Sequence, residues 1–265
     1  QAYVDKWLEQ DLVTVWGMGW SDGSLKRTAG DGHPRYITRG GMNQLAKHLA
    51  QGLDIVVNKR ITSIQQSNDR WTLVDGDGDV YTGRAVVMTP PMPQSLELLK
   101  ASTIQLAEAD HKELSKIQFG PCLCGIHEIE GDIDLPEPGA VQNFEKEIYW
   151  MADNCVKGIS ETRIVTSHAS AKYSRKNWDA PEDDVIAELE TAVCKYLKND
   201  ATIISTQLKK WKYSIPLITY PKEYLLADGL PNLVFAGDAF GGRGRVEGAF
   251  ISGIAAGNAL VEALG

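Results

Sequence analysis

The sequence predicts a two-domain architecture that joins an α/β part to an α+β part. Three observations lead there. A strand that is apolar throughout, "NLVFA", runs near the end of the chain into a glycine-dense loop and then a helix, which is the signature of a parallel sheet covered on both faces. The middle of the chain reads as successive β-branched strands separated by turn residues, which implies antiparallel pairing. Between these two characters lies "TPPMP", whose prolines can continue neither a ladder nor a helix, so a domain crossing is expected there.

Residues Tyr3 to Leu12 have helical periodicity, and "LVTVW" then reads as a short strand followed by a polar loop to Arg39. In "GGMNQLAKHLAQG", Met42, Leu45, Ala46 and Leu49 recur at i, i+3, i+4 and i+7, an amphipathic helix between glycines. "DIVVN", "RITSIQQ", "RWTLVD" and "RAVVMT" read as strands, with "DGDGD" as a hairpin tip. Beyond the prolines, helical segments give way to the strands "GPCLCGIHEI", "AVQNFE", "IYWMAD" and "RIVTSHA". A helix from Pro181 to Leu197, with Ile186, Leu189, Val193 and Leu197 on one stripe and Asp179 as its N-cap, precedes the strand "STQLKKWKYSIP". The final strand and a helix from Glu247 to Leu264 return to α/β character.

A chain of 265 residues can bury a substantial core. Its net charge of -8, with no basic cluster, argues against nucleic acid or an anionic membrane surface as partner. No apolar run has the length of a membrane span. Four cysteines and no leader pattern before Tyr3 suggest a reducing, cytoplasmic setting, and a small-molecule ligand with a monomeric chain is the expectation.

The turn after "NLVFA" has the makings of a ligand site. Gly237 and Asp238 stand where the strand leaves the sheet at its carboxyl end, the edge at which open α/β sheets bind ligands. Glycines 241, 242 and 244 permit close backbone approach, and the helix starting at Val246 or Glu247 offers opening amides and the positive end of its dipole. Asp238 supplies a carboxylate that can accept hydrogen bonds from sugar or ribityl hydroxyls. Gly248, Ser252, Ala255 and Ala259 form a small-residue face, with Ile251, Ile254 and Val261 expected toward the core. A tight connection with an ordinary turn aspartate is the competing reading of the same residues.

The stretch "FAGDAFGGRGRVEGAFISGIAAGNAL" resembles the C-terminal FAD motif of the flavin-containing amine oxidases, in which a GD or GE pair precedes a loop and an "EGA..SG..AA" helix. The longer stretch from "RYITRGGMNQLAKHLAQG" to "PPMPQSLELL", with "WKYSIP" later, is similar to the renalase-like branch of that superfamily. The resemblance implies a two-domain FAD-dependent oxidoreductase. Residues 39–93 and 229–265 would form a discontinuous FAD-binding domain of the FAD/NAD(P)-binding type, and residues 1–38 and 94–228 an antiparallel substrate domain. It implies that Gly237 and Asp238 hold the ribityl or pyrophosphate portion, that the amides of Arg245, Val246, Glu247 and Gly248 face the flavin, that Ile61 meets the adenine, and that Thr89 and Pro90 lie near the cofactor's middle. Hydride would pass from a dihydronicotinamide-like or amine substrate to flavin, with reoxidation by oxygen. An amine oxidase or a carotenoid-type desaturase differs from this only in substrate.

Members of the superfamily open with a strand, a GxGxxG turn and a helix, and this sequence begins after that point. It therefore reads as an incomplete FAD-binding domain with weakened FAD affinity, and a non-enzymatic binding module or fragment is the alternative. Gly17, Gly19 and Gly23 follow "LVTVW" at nearly the right spacing, but the residues after them have no helical periodicity, which favours a surface turn.

Catalytic residues are not identified by any motif. Trp150, His168, Trp211 and Tyr213 are the candidates for an apolar substrate cage, and Trp211 and Tyr213 share a strand face by alternation. Asp75, Asp77 and Asp79 alternate like the opening of a calcium loop but lack its glycine and bidentate glutamate, so a hairpin tip is expected. Cys122, Cys124 and His127 lack a second ligand pair, so they are read as buried residues and no metal is expected. Neither GxSxG nor HExxH occurs, which removes the hydrolase readings built on them.

Overall fold

A computed structural model describes residues 2–21, 32–143, 147–242 and 244–265. In chain order the first elements are α1 (Ala2–Glu9), β1 (Thr14–Gly17), β2 (Arg35–Ile37), α2 (Asn43–Leu49), β3 (Ile61–Ser67), β4 (Arg70–Asp75), β5 (Val80–Gly83) and β6 (Val86–Met88). They continue as α3 (Met92–Ala101), α4 (Glu108–Leu114), β7 (Gln118–Glu130), β8 (Ala140–Gln142), β9 (Ile148–Asp153), β10 (Ile164–Ala169) and α5 (Ala171–Lys176). The last are α6 (Glu182–Cys194), β11 (Thr202–Ile218), β12 (Leu225–Leu226), β13 (Leu233–Phe235) and α7 (Val246–Leu264). This is a mixed α/β fold with antiparallel sheets. Among the described residues no helix is long and apolar enough to cross a membrane.

The chain forms two compact units, Gln1–Ile55 with Pro121–Lys212, and Val56–Gly120 with Tyr213–Gly265. The first unit is built on a five-stranded sheet in the order β11-β7-β10-β9-β8, with β10 antiparallel to both β7 and β9. Strand side chains alternate between faces, so the residues of β7 and β10 that face α6 are Leu123, Ile129, Val165 and Ala169. They enclose Val185, Leu189 and Val193, the buried stripe of α6. Full burial of each such side chain contributes about 1.5–3 kcal/mol.

A polar seam crosses this apolar layer. His127, fully buried, lies between Ser167 Oγ at 2.8 Å from Nε2 and Thr206 Oγ1 at 2.9 Å from Nδ1. Thr206 donates its own proton to Glu190 Oε1 at 2.7 Å. It must therefore accept from Nδ1–H, which leaves Nε2 to accept from the Ser167 hydroxyl. One neutral tautomer satisfies every atom of the chain.

The second unit contains two three-stranded sheets. The antiparallel β3-β4-β5 sheet ends in the expected hairpin tip, where buried Asp75 accepts the amides of Asp77 and Asp79 through Oδ1 and the Tyr81 hydroxyl through Oδ2. Lys59 spans Asp77 and Asp79 at 2.8 and 2.6 Å. The other sheet, β12-β13-β6, pairs β13 with β6 in parallel, Leu233 opposite Val86 and Phe235 opposite Met88. Its core joins Ile64, Trp71, Leu233 and Phe235 to Met92, Leu99, Leu114 and Ile117. Helices α3 and α4 thus pack with this unit, so contact packing draws a boundary after Gly120 and not at the proline run.

Four expectations about elements differ from what is found. "DIVVN" forms no strand; it has no ladder partner, and Ile55, Val56 and Val57 are more than half exposed. Helix α6 has Pro181, not Asp179, at its N-cap, and carries Glu182, Asp183 and Asp184 in the first turn, where the helix dipole favours acidic side chains. Strand β8 ends at Gln142, and residues 144 and 145 of "AVQNFE" lie outside the described residues. The buried stripe of α7 is Gly248, Ser252, Ala256 and Leu260, while Ile251 and Val261 are exposed. The i, i+4, i+8, i+12 spacing aligns that stripe on β13 through Val234 and Ala236.

Candidate functional site

All nine sequence-predicted cofactor positions fall in the second unit, at the ends of its strands or at the start of α7. Strands β6 and β13 run parallel and stop together: the Ala236 amide donates to Met88 O at 3.1 Å. Gly237 follows with φ +138°, a conformation that L side chains rarely adopt, and a Cβ there would stand 3.6 Å from Thr89 O. Its amide donates to Ser252 Oγ at 2.9 Å, and the same hydroxyl donates to Glu223 O. Ser252 of α7 thereby holds the end of β13 and the chain before β12 on one atom.

Thr89 and Pro90 are exposed beside that strand end. Pro90 O accepts from the buried Ser95 hydroxyl at 3.0 Å, which ties the turn after β6 to the first turn of α3. Asp238 is half-buried, and among the described residues no cation pairs with it. Burial pushes its carboxyl upward while the amides of Asp238 and Ala239 pull it back.

The loop then returns through two positive-φ glycines. Gly241 donates to Lys222 O at 2.7 Å and Gly242 to Tyr220 O at 3.3 Å. Gly244 is packed so closely on Pro216 that a Cβ would lie 2.4 Å from Pro216 Cγ. Arg245 is the N-cap of α7 with extended backbone and no side-chain capping bond, and the first intrahelical bond runs from Ala249 N to Arg245 O. Arg245, Val246 and Glu247 are exposed, and Gly248 is buried. A long helix therefore opens at the surface with its positive end exposed, and its Ser252, further along, holds the Gly237 amide. Ile61 is placed apart from these loops, as the first residue of β3 opposite Asp75.

The cage candidates are divided between the units. Trp150 and His168 lie opposite each other on β9 and β10, in a row that continues to Cys124 and Gln142 on the sheet face away from α6. Trp211 meets His168 edge-on at 5.8 Å. Burial, and next the charge of Lys157, lowers the His168 pKa to about 4. Tyr213 belongs to the second unit, where its ring meets Phe119 at 6.1 Å and lines an open groove of about 810 Å³ with Leu96, Thr103, Leu106 and His111. Cys122 and Cys124 are buried free thiols on one face of β7, and burial pushes Cys124 up to about 12. Gly17 lies in β1 against Pro138, and Gly23 lies outside the described residues.

Sequence reasoning singled out neither Ser252 as a bridge nor Ser95 as a tether, because both bonds join segments far apart in the chain. It also missed Trp16, Trp20 and Lys157, which the fold brings against Trp150 and His168.

Residues 12–261 match the family described as flavin containing amine oxidoreductase. The chain belongs to this family. Among solved structures it is similar to a protein assigned as a protoporphyrinogen oxidase from Exiguobacterium sp. 255-15, at 12% identity and a TM-score of 0.55, over 86% of this chain and 52% of that one. It is similar to a single-substitution variant of putrescine oxidase, at 13% identity and a TM-score of 0.61, over 86% of this chain and 54% of that one. Putrescine oxidase bound to putrescine matches at 14% identity and a TM-score of 0.60, with the same coverage. The chain spans about half the length of these proteins, and the likeness establishes an amine oxidase-like fold of the FAD-dependent type.

Proposed function

We propose that this chain is the flavin-binding and substrate-binding part of an FAD-dependent oxidoreductase that removes a hydride from a small reduced substrate. The observation that carries the reading is the turn at Gly237: a positive-φ glycine at the carboxyl ends of two parallel strands, followed by a half-buried carboxylate and bonded to Ser252 of a long helix whose opening is exposed. These features fit the cofactor. Gly237 leaves backbone room beside Thr89 and Pro90, Asp238 can accept hydrogen bonds from ribityl hydroxyls, and the helix opening at Arg245, Val246, Glu247 and Gly248 favours an electron-rich carbonyl. Ile61 is assigned to the adenine on resemblance alone.

When bound, FAD would supply the two-electron acceptor, and oxygen its reoxidant. The chain's own residues would orient substrate and exclude water through Trp150, His168 and Trp211 of the first unit. His168, neutral at ordinary pH, is suited to hydrogen bonding without adding charge. The renalase-like resemblance favours a dihydronicotinamide over an amine as the reductant.

The test is a visible absorption titration of the purified chain with FAD, followed by stopped-flow reduction. Bound-flavin bands are expected, and Asp238→Ala should weaken FAD by about tenfold or more, the scale of a hydrogen bond to a charged group. No bands at saturating FAD would sink the reading. Bound flavin that no dihydronicotinamide or amine reduces would leave a binding module.

A further inference from the structure

Three indoles meet in the first unit. Trp16 and Trp20 lie 4.6 Å apart, Trp20 and Trp150 4.9 Å apart, and Trp16 and Trp150 6.0 Å apart, the last two pairs edge-on. All three are half-buried, so each keeps surface for a ligand. Trp71 shows the contrast: it is 1% exposed.

Two cations flank the cluster. Lys157 Nζ stands 4.4 Å from the centre of the Trp16 ring, and Arg35 Cζ stands 5.2 Å from that of Trp20. Among the described residues no carboxylate pairs with Lys157, although its ammonium is partly withdrawn from water. A desolvated lysine on an aromatic wall, with no counter-ion among the described residues, is an incomplete electrostatic arrangement. Its charge is felt at His168, the neighbour of Trp150 across the strands.

A cationic amine brought to these rings would meet the Lys157 ammonium already on them. An anion would complete the arrangement. We infer that the cluster of Trp16, Trp20, Trp150 and Lys157 binds a planar conjugated anion, an aromatic ring with a carboxylate or phosphate that stacks on the indoles and pairs with the lysine. The inference deepens the proposed function, on which it rests for the ligand being a substrate: it selects acidic aromatic reductants and disfavours polyamines.

Calorimetric titration of the whole chain with 1-naphthoate, 1-naphthyl phosphate and 1-naphthylmethylamine tests it, because the ring is constant and the charge is not. Both anions should bind at least about tenfold more tightly than the amine. The two anion arms show whether carboxylate or phosphate suits the site. Lys157→Met should weaken the anions, tighten the amine and so abolish the preference, Lys157→Arg should keep it, and circular dichroism confirms that both variants fold. Equal or tighter amine binding by the wild type, or undiminished anion affinity in Lys157→Met, overturns the inference. A lysine-dependent anion preference in a chain that takes up no flavin upholds this site and sinks the oxidoreductase reading; flavin uptake without the preference does the reverse.

Discussion

Gly125 and His127 point to the same side of β7, and the imidazole lies so close over the glycine that a Cβ on Gly125 would be 2.3 Å from Nε2 and 2.8 Å from Ser167 Oγ. The absent side chain is the space in which the seam from Ser167 to Glu190 is made. Gly125→Ala should push the ring off both hydroxyls and destabilise the first unit by about 1–3 kcal/mol, the usual range for overpacking a filled core. Chemical denaturation of wild type and variant measures this, and an unchanged midpoint would refute it.

Acid should weaken the fold through two histidines. Burial lowers His127 from 6.5 to about 4, partly opposed by Glu190, and burial with Lys157 lowers His168 from 6.5 to about 4. The unfolded chain therefore takes up protons first. Stability is fully present above pH 6.5 and is lost as pH falls toward 4, by up to about 3 kcal/mol for the fully buried His127. Urea melts at pH 7.5, 6 and 5 should show this slope, and His127→Gln should flatten it. A variant slope equal to wild type would remove His127 as its source.

Ser252 accepts from Gly237 N and donates to Glu223 O, so Ser252→Ala strands a donor and an acceptor at once. The expected cost is about 1–3 kcal/mol, with a comparable loss at the Gly237→Ala position, where strain and not space is limiting. Hydrogen exchange should show faster opening at Gly237 in Ser252→Ala and protected amides in β3 and β4. Uniform exchange changes across the unit would contradict a local role.

Thr103 is a β-branched residue at φ +57° where α3 ends. Ile104 N donates to Leu99 O and Thr103 N to Lys100 O, the bond pair of a helix terminus that ordinarily ends in glycine. The left-handed conformation costs about 1–2 kcal/mol here, against about 0.5–1 kcal/mol for the extra freedom of an unfolded glycine. Thr103→Gly should stabilise by about 0.5–1 kcal/mol, visible as a raised Tm. A lowered Tm would show that the threonine hydroxyl, bonded to Ser102 O, outweighs the strain.

Much of this was legible where one chain segment sets its own pattern. β3, β4, β7, β9 and β10 alternate, so each appears where its sequence places it, while α6 repeats apolar residues at helical spacing but stops at Cys194, short of Leu197, and buries Val185 with Leu189 and Val193 where Ile186 was expected. The face of α7 was misplaced because glycine and alanine lie all around that helix, and small residues do not fix a phase; Leu260 and the Ser252 bridge do. "DIVVN" has strand composition, yet a strand needs a partner and its own residues cannot supply one. The indole cluster was invisible for a related reason: Trp16 and Trp150 are joined only by the return of β9 to the neighbourhood of β1.

The parallel pair β6 and β13 has a consequence for biosynthesis. Its second strand is made only after the first-unit segment from Pro121 to Lys212 has followed the first strand out of the ribosome. The hairpins can close on the ribosome, but the strand-end turn at Gly237 cannot form until β13 and α7 have emerged. Whatever docks at that turn therefore meets a chain already synthesised through α7, and until then β6 waits without its parallel partner.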